Sequence, residues 1–375
     1  FAPYLIEHFG WTRAQWSAVS SAQMLIMLCL PVAGRLTDLY GVRPVAAVGA
    51  LSFPLFLVAI GTMKGGIGTY AAIYIAQTIV CSTTTATVYS RVVAAAFKLR
   101  RGLALGICGA APPLIGALGS PLISAFVASH GWRAGYYAVA AFCLAGALAT
   151  LALLQRRDSV ARGPLLAPAR RQPGVYRAIF ATPAFWIMLV ALFLSNLPFA
   201  LATAQLKLVV LAQGLDDATA AWIVTAFALA SIAARLVSGA ALDAMPAHVV
   251  ATINYGLPFF GLLLLASPLH SAPIVAFSLL LIGFSFGGEG DVLPYLVTKL
   301  FGIRIFSTVL GLFSASIGLV MGLGNLVVAA ILQASNSYQP FLVLAAAASL
   351  VGSLLFAMLG LKRFQTPFIE PEAAP

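Results

Sequence analysis

Charged residues are scarce in this chain of 375 residues. Asp, Glu, Lys and Arg make up 8% of it, whereas 61% is hydrophobic and the mean hydropathy is +1.00. Soluble domains carry roughly 25% charged residues, so this chain cannot cover itself with a polar surface. The composition excludes a water-soluble fold and predicts a protein that is solvated by lipid.

Residues that build metal, redox and hydrolytic sites are also few. The four Cys stand singly in apolar runs without a C-x-x-C pair, which argues against a disulfide framework and a zinc site. The four His fall at the ends of apolar runs, so we expect no histidine proton relay. No P-loop, G-x-S-x-G or H-E-x-x-H motif occurs, so ATP hydrolysis and proteolysis are unsupported. We expect no enzyme activity, no metal and no cofactor.

What the sequence does contain is a series of apolar spans. A helix that crosses the bilayer needs about 20 residues, and eleven complete spans are predicted at 15–37, 44–63, 67–97, 102–129, 133–154, 183–212, 216–242, 248–269, 271–299, 305–333 and 339–361. Residues 1–9 are too short to cross and are interpreted as the end of a first helix that is largely missing. The expected fold is an all-α polytopic membrane protein with six plus six helices.

Lys and Arg are divided unevenly between the two sets of loops, fifteen against four. The positive-inside rule then places the basic set, which includes both termini and the polar linker, in the cytoplasm. The net charge of +11 follows from this bias, so no nucleic-acid partner is expected. We predict a multi-pass monomer in the plasma (inner) membrane, with bundles at 1–154 and 183–363, a linker at 155–182 and a tail at 364–375.

One short motif occurs twice. Gly-x-x-x-Asp stands at Gly34 to Asp38 and again at Gly239 to Asp243, and 239 − 34 = 205 residues. Duplication of this kind is typical of secondary transporters, whose substrate site lies between similar halves. Glycine allows close helix approach, and aspartate can cap a helix N-terminus or pair with arginine. With Arg43, these residues predict a cytoplasmic gate; the alternative is that they only shape tight loops.

The run GRLTDLYGVRP at 34–44 is similar to the signature of the major facilitator superfamily. Three further runs, at 89–111, 131–137 and 287–311, resemble its monocarboxylate and oxalate–formate porter branch. The resemblance covers essentially the whole chain. It implies a major facilitator fold of two six-helix bundles, transport by alternating access, and a small organic anion as the substrate.

Arg235 is the first candidate for the substrate site. It lies eight residues before Asp243, which is about 12 Å along a helix, and a charge at such depth is costly and commonly functional. Its surroundings resemble the helix 8 arginine of the monocarboxylate porters, which implies that it holds the substrate carboxylate with its planar fork. The alternative is a structural ion pair. The porters' aspartate one turn earlier is Ser231 here, so the resemblance does not extend to proton coupling at that position.

Glu289 and Asp291 match Arg235 in depth. The glycine-rich run at 287–290 predicts a loosened or kinked helix around them, as in the broken helices of transporters. One interpretation makes either carboxyl the proton-carrying group. The other makes both fixed counter-ions that neutralise Arg235 or Arg304.

Other polar residues in cavity-lining spans are weaker candidates. Arg91 could contact the substrate or snorkel to the interface. Asn196, Gln23 and Asn325 could contact the substrate or form interhelical hydrogen bonds. Residues 305–361 carry no charge, so the second cation used by the oxalate exchangers is missing and a dicarboxylate is disfavoured.

These features together predict a secondary active transporter for a small organic anion, a monocarboxylate. Its partners would be that anion, the lipid bilayer and a coupling proton, with proton symport and anion exchange both open. One alternative is efflux of amphipathic drugs, which an aromatic and Met-rich pore with a lone acid would favour. Another is a non-transporting sensor with the same fold, for which a cytoplasmic domain would be expected.

Overall fold

The computed structural model describes residues 1–12, 15–16, 19, 21–97, 99–160, 174–204 and 206–361. Within these ranges the chain forms helices joined by short connections, and no β-strand occurs there. This confirms the all-α class that the apolar spans predicted.

Fifteen helices are numbered here in chain order. They are α1 Ala2–Phe9, α2 Leu25–Tyr40, α3 Val42–Thr62, α4 Ile67–Cys81, α5 Ala86–Ala96, α6 Arg101–Val160, α7 Val175–Ala181, α8 Pro183–Asn196, α9 Phe199–Ala204, α10 Leu206–Ala212, α11 Asp217–Ala244, α12 Ala247–Ala266, α13 Ala272–Phe301, α14 Phe306–Ser335 and α15 Gln339–Met358.

Two predicted spans are interrupted. The span 67–97 divides at a 3₁₀ turn, Ser82–Thr84, where the hydroxyls of Ser82 and Thr83 donate to carbonyls three residues earlier. Such bonds compete with the helical ladder. The span 183–212 divides after α8 because Pro198, which stands in the gap, has no N–H to donate.

Eight helical segments of the described ranges are long and apolar enough to cross a membrane; one of them, Ile67–Ala96, joins α4 and α5 across the 3₁₀ turn, and another, Leu122–Leu154, lies within α6. The short helix α7 and helix α8 meet at a bend of 73° and could form a ninth span together. The predicted spans 102–129 and 133–154 both lie within α6, which consists of two helices that meet at a kink at Gly131, whose φ of 82° lies outside helical values. The multi-pass character is confirmed, although α2, at 16 residues, is shorter than its predicted span.

Parts of the predicted linker between the halves are helical. Helix α6 continues to Val160, so the first residues of the predicted linker at 155–182 are helical. Polar residues beyond an apolar span can extend a helix, which explains the difference. Residues 161–173 of the linker and 362–375, which include the predicted tail, lie outside the described ranges.

The chain separates into two compact units. The first contains 1–95, 112–171 and 303–315, and the second contains 96–111, 172–302 and 316–375. Each unit therefore includes one short segment from the other half of the sequence. The core of the first unit is rich in aromatic side chains such as Trp11, Tyr70 and Trp132, and the core of the second includes Phe199, Phe227 and Phe341.

Candidate functional site

The first copy of the repeated motif meets the start of a distant helix. Gly34 is buried, and a Cβ there would collide with the carbonyl oxygen of Ser307. The Asp38 carboxylate accepts hydrogen bonds from the N–H groups of Ser307 (3.2 Å) and Thr308 (2.6 Å) and from the Thr308 hydroxyl (2.6 Å). These are the second and third residues of α14, whose N–H groups lack partners within their own helix. Asp38 therefore caps α14 with a negative charge.

Arg91 completes this cluster. Its Nη1 donates to Asp38 Oδ1 and to the carbonyl oxygen of Thr37, both at 2.9 Å. The side chain is 1% exposed, so it is withdrawn from solvent and from any interface to which it could snorkel. This geometry supports a structural ion pair, and contact between Arg91 and a substrate stays a prediction.

The second copy of the motif repeats the arrangement. A Cβ on Gly239 would lie 2.6 Å from the carbonyl oxygen of Gly102. The Asp243 carboxylate accepts hydrogen bonds from the N–H groups of Gly102 (2.8 Å) and Leu103 (3.0 Å), the second and third residues of α6. Asp243, in contrast to the fully buried Asp38, is exposed.

The capped residues obey the same repeat as the motif. Ser307 follows Gly102 by 307 − 102 = 205 residues, the offset found for the motif itself. One charge breaks the symmetry, because the position equivalent to Arg91 is Leu296 (296 − 91 = 205). The helix contacts that the motif chemistry predicted are present in both copies, and their role as a gate stays a prediction.

Arg235 packs on two glycines. A Cβ built on Gly109 of α6 or on Gly290 of α13 would lie 2.5 Å from its Nη1. One turn earlier on α6, a Cβ on Gly106 would collide with the carbonyl oxygen of Arg235. The half-buried guanidinium thus rests directly on the backbones of two neighbouring helices, in space that other residues would fill.

Two carboxyls flank Gly290. Asp291 is fully buried and Glu289 is 8% exposed, and the charge of Arg235 acts on both. Neither oxygen of Asp291 nor Oε1 of Glu289 has a hydrogen-bond partner among the described residues. The site therefore combines one guanidinium with two carboxyls that have unused hydrogen-bonding capacity.

Helix α13 runs from Ala272 to Phe301 without an interruption at 287–290 and contains Pro294, and the predicted kink around the two carboxyls stays a prediction. Its glycines serve close packing. A Cβ on Gly287 would collide with the backbone of Ser231, and one on Gly288 would collide with the side chain of Asn254.

The remaining predicted residues are less central. Asn196 is buried, donates from Nδ2 to the carbonyl oxygen of Leu192 at 2.9 Å, and interacts with the Glu289 carboxyl. Asn325 donates to Met321 of its own helix at 2.9 Å. Arg43 is exposed at the start of α3. The Gln23 side chain lies outside the described part of the chain.

The sequence provided a weak signal for the residues that were not predicted. Gly102 and Gly106 stand out as a small-x-x-x-small pair, but nothing marks Gly109 as the residue that makes room for Arg235 and Asp291. Thr308 is an ordinary helix residue until its contact with Asp38 is known. These positions matter because of neighbours far away in the chain.

A comparison with protein-family models matches residues 1–302 to the Major Facilitator Superfamily. The chain belongs to the major facilitator superfamily. It is accordingly a membrane transporter, and membership supports the expectation that it is not an enzyme. No curated protein matches the sequence.

Solved structures of the superfamily share the fold. The human organic anion transporter MFSD10 (TETRAN) aligns with a TM-score of 0.67 at 18% identity, over 94% of this chain and 88% of its own. The E. coli fucose:proton symporter FucP gives 0.73 at 14% identity, over 97% and 94%. The proton:xylose symporter XylE gives 0.67 at 13% identity, over 91% and 84%. At these identities the similarity shows the fold alone.

Proposed function

We propose that this transporter carries a small organic anion, a monocarboxylate, by alternating access. The observation that supports the proposal is Arg235, a permanent cation within a membrane-spanning helix, for which one glycine on each of two neighbouring helices leaves room. A guanidinium binds a carboxylate through two parallel hydrogen bonds and stays charged at any relevant pH. One of the solved relatives is an organic anion transporter, but at 18% identity this likeness adds no weight.

The local charge balance requires that a cation accompanies the anion, or that one anion replaces another. With both carboxyls ionised, Arg235, Glu289 and Asp291 sum to −1, and an incoming anion is repelled. With one carboxyl protonated the sum is zero, and with both protonated it is +1. Under proton symport, Glu289 or Asp291 carries that proton. Under anion exchange, the carboxyls are fixed groups that keep one protonation state through the whole cycle, and the departing anion makes room for the next.

We further propose that the linker and the Asp38 and Asp243 contacts face the cytoplasm of a monomeric plasma-membrane protein. The distribution of Lys and Arg, fifteen against four, supports this orientation. Both contacts would then hold the cytoplasmic side closed in one state of the transport cycle.

Uptake into proteoliposomes tests the substrate class. Labelled pyruvate, lactate, formate and oxalate would be offered with and without a pH gradient. Arg235→Gln is expected to abolish uptake of the monocarboxylates in folded protein, and Arg235→Lys to retain a small part because charge survives but the fork is lost. Arg133→Gln is the matched control, since this exposed arginine contacts Met63 and Trp132 instead. Unchanged uptake and affinity in Arg235→Gln would remove Arg235 from the mechanism.

The coupling mode is tested with Glu289→Gln and Asp291→Asn. Loss of pH-driven accumulation in one variant, with anion exchange retained, identifies that carboxyl as the proton carrier. pH-driven accumulation that survives in both variants would show that neither carboxyl is the proton carrier.

A further inference from the structure

Four helices of the second compact unit bring polar side chains together around Glu289. Asn196 of α8 interacts with the Glu289 carboxyl, and the charge of Glu289 acts on Tyr255 of α12. Asn254 of α12 donates to the carbonyl oxygen of Ser285 on α13 at 3.2 Å. Helices α8, α12 and α13 therefore meet at one level of the bundle.

Helix α15 contacts both α8 and α12 at the same level of the bundle. A Cβ on Gly352 would collide with the hydroxyl of Ser195 on α8, and Ser353 donates to the carbonyl oxygen of Thr252 on α12 at 2.7 Å. Ser349 lies one turn before Gly352 on the same helix. The four helices enclose a polar layer in a span where hydrocarbon side chains are the rule.

The side chains of this layer present oxygen. Six buried oxygens have no hydrogen-bond partner among the described residues: Ser195 Oγ, Asn196 Oδ1, Asn254 Oδ1, Tyr255 Oη, Glu289 Oε1 and Ser349 Oγ. The amides of Asn196 and Asn254 are held in orientation because each Nδ2 donates to a backbone carbonyl. Amide oxygens and carboxylates only accept hydrogen bonds, and the three hydroxyls can accept as well as donate, so every one of these oxygens can face a cation, and leaving such groups unpaired is costly.

We propose that this layer is a binding site for Na⁺. Hard cations select carboxylate and carbonyl oxygens, and transporters hold Na⁺ near the bilayer midplane. Glu289 supplies one negative charge, so a monovalent ion gives a neutral site, whereas a divalent ion would leave an uncompensated buried charge. Glu289, Asn196 and Tyr255 are the ligands, and the hydroxyls of Ser195 and Ser349 complete the shell.

A bound Na⁺ would also offer a second way, besides protonation, to neutralise one of the two carboxyls near Arg235. Na⁺ on Glu289 would neutralise that carboxyl without a proton and leave Arg235 opposite Asp291, so an anion is no longer repelled. The coupling to transport rests on the proposed function. The binding of Na⁺ does not, because it can be measured without any substrate.

Thermal unfolding of the purified full chain tests the binding. The unfolding midpoint would be followed from 0 to 150 mM NaCl, with choline chloride holding the ionic strength constant. A ligand that binds only the folded state raises the midpoint in a saturable way, and we expect a rise of about 3 °C or more with Na⁺. The proposal would be overturned if the unfolding midpoint were the same in NaCl and in choline chloride, or if Mg²⁺ or Ca²⁺ raised the midpoint and Na⁺ did not.

Two variants locate the site. Glu289→Gln is expected to lose the Na⁺ response and, in choline, to unfold no earlier than the wild type, because it removes a buried charge that has no bound cation there. Tyr255→Phe keeps the ring stacked on Phe356 but removes one ligand, so about tenfold more Na⁺ should be needed. Tyr70→Phe in the first unit is the matched control, with an unchanged response expected. A full response in both Glu289→Gln and Tyr255→Phe contradicts the assignment, and if Glu289→Gln fails to fold, Tyr255→Phe decides alone.

Discussion

The two copies of the motif offer an internal comparison of the same substitution in two surroundings. Asp38→Asn and Asp243→Asn each replace a carboxylate that caps the second and third N–H groups of a helix. Asparagine keeps one acceptor oxygen but removes the charge. We expect Asp38→Asn to lower the stability much more than Asp243→Asn, because Asp38 pairs with a buried arginine and Asp243, among the described residues, does not.

The expected magnitudes follow from burial. Asp38 is fully buried and pairs at 2.9 Å with Arg91, which is 1% exposed. Removing one partner of a buried ion pair costs about 3–5 kcal/mol, because the other charge is left uncompensated. Asp243 is exposed, so its variant loses only a helix cap, about 1 kcal/mol. At about 2 °C per kcal/mol, the midpoints should fall by about 6–10 °C and about 2 °C.

Thermal unfolding of the purified variants measures both falls, and a double variant identifies the cause. Arg91→Met removes the second charge while keeping a long side chain. A buried pair can often be replaced by apolar groups at little cost, so Asp38→Asn with Arg91→Met should regain much of the lost stability. Equal losses in the two single variants, or a double variant no more stable than Asp38→Asn, would show that the buried guanidinium is not what distinguishes the copies.

Two further predictions concern other positions. Gly109→Ala should impair anion uptake with little loss of stability, because its Cβ meets only the ends of the Arg235 and Asp291 side chains, at 2.5 and 2.8 Å. Gly106→Ala should instead cost about 1–3 kcal/mol of stability, because its Cβ meets backbone atoms. Uptake and thermal unfolding would be measured for both variants, and a larger loss of stability in Gly109→Ala would contradict this packing. Asp216 caps α11 by accepting from the N–H of Thr219 at 3.0 Å. Hydrogen bonds from the Thr219 side chain and from its N–H lower the pKa of Asp216, so the contribution of the carboxylate to stability is present above the ordinary pKa of aspartate and is lost as pH falls through the lowered value. The difference in unfolding midpoint between the wild type and Asp216→Ala should thus shrink in acid, and a constant difference would refute the role of the carboxylate.

Composition and repetition determined the class of this protein. A chain with 8% charge and apolar runs near 20 residues has no soluble alternative, and the Gly-x-x-x-Asp duplication indicated two similar halves. The depth of Arg235, Glu289 and Asp291 could also be counted along the chain, because a helix rises by about 1.5 Å per residue. These conclusions depend only on local geometry, which residues close together in the sequence determine.

The partners of the charges were decided by tertiary structure. Arg91 had two open roles in the sequence, and the fold assigned it a third by placing it against Asp38, 53 residues away. Asp38 could cap any helix, and it caps α14 through Ser307, which lies 269 residues later in the chain. The oxygens around Glu289 belong to polar residues on three other helices, α8, α12 and α15, and only Asn196 among them was a candidate from the sequence. Periodicity in the sequence indicates which face of a helix is apolar, but only tertiary packing decides which faces contact each other. The role of a buried charged residue depends on those contacts.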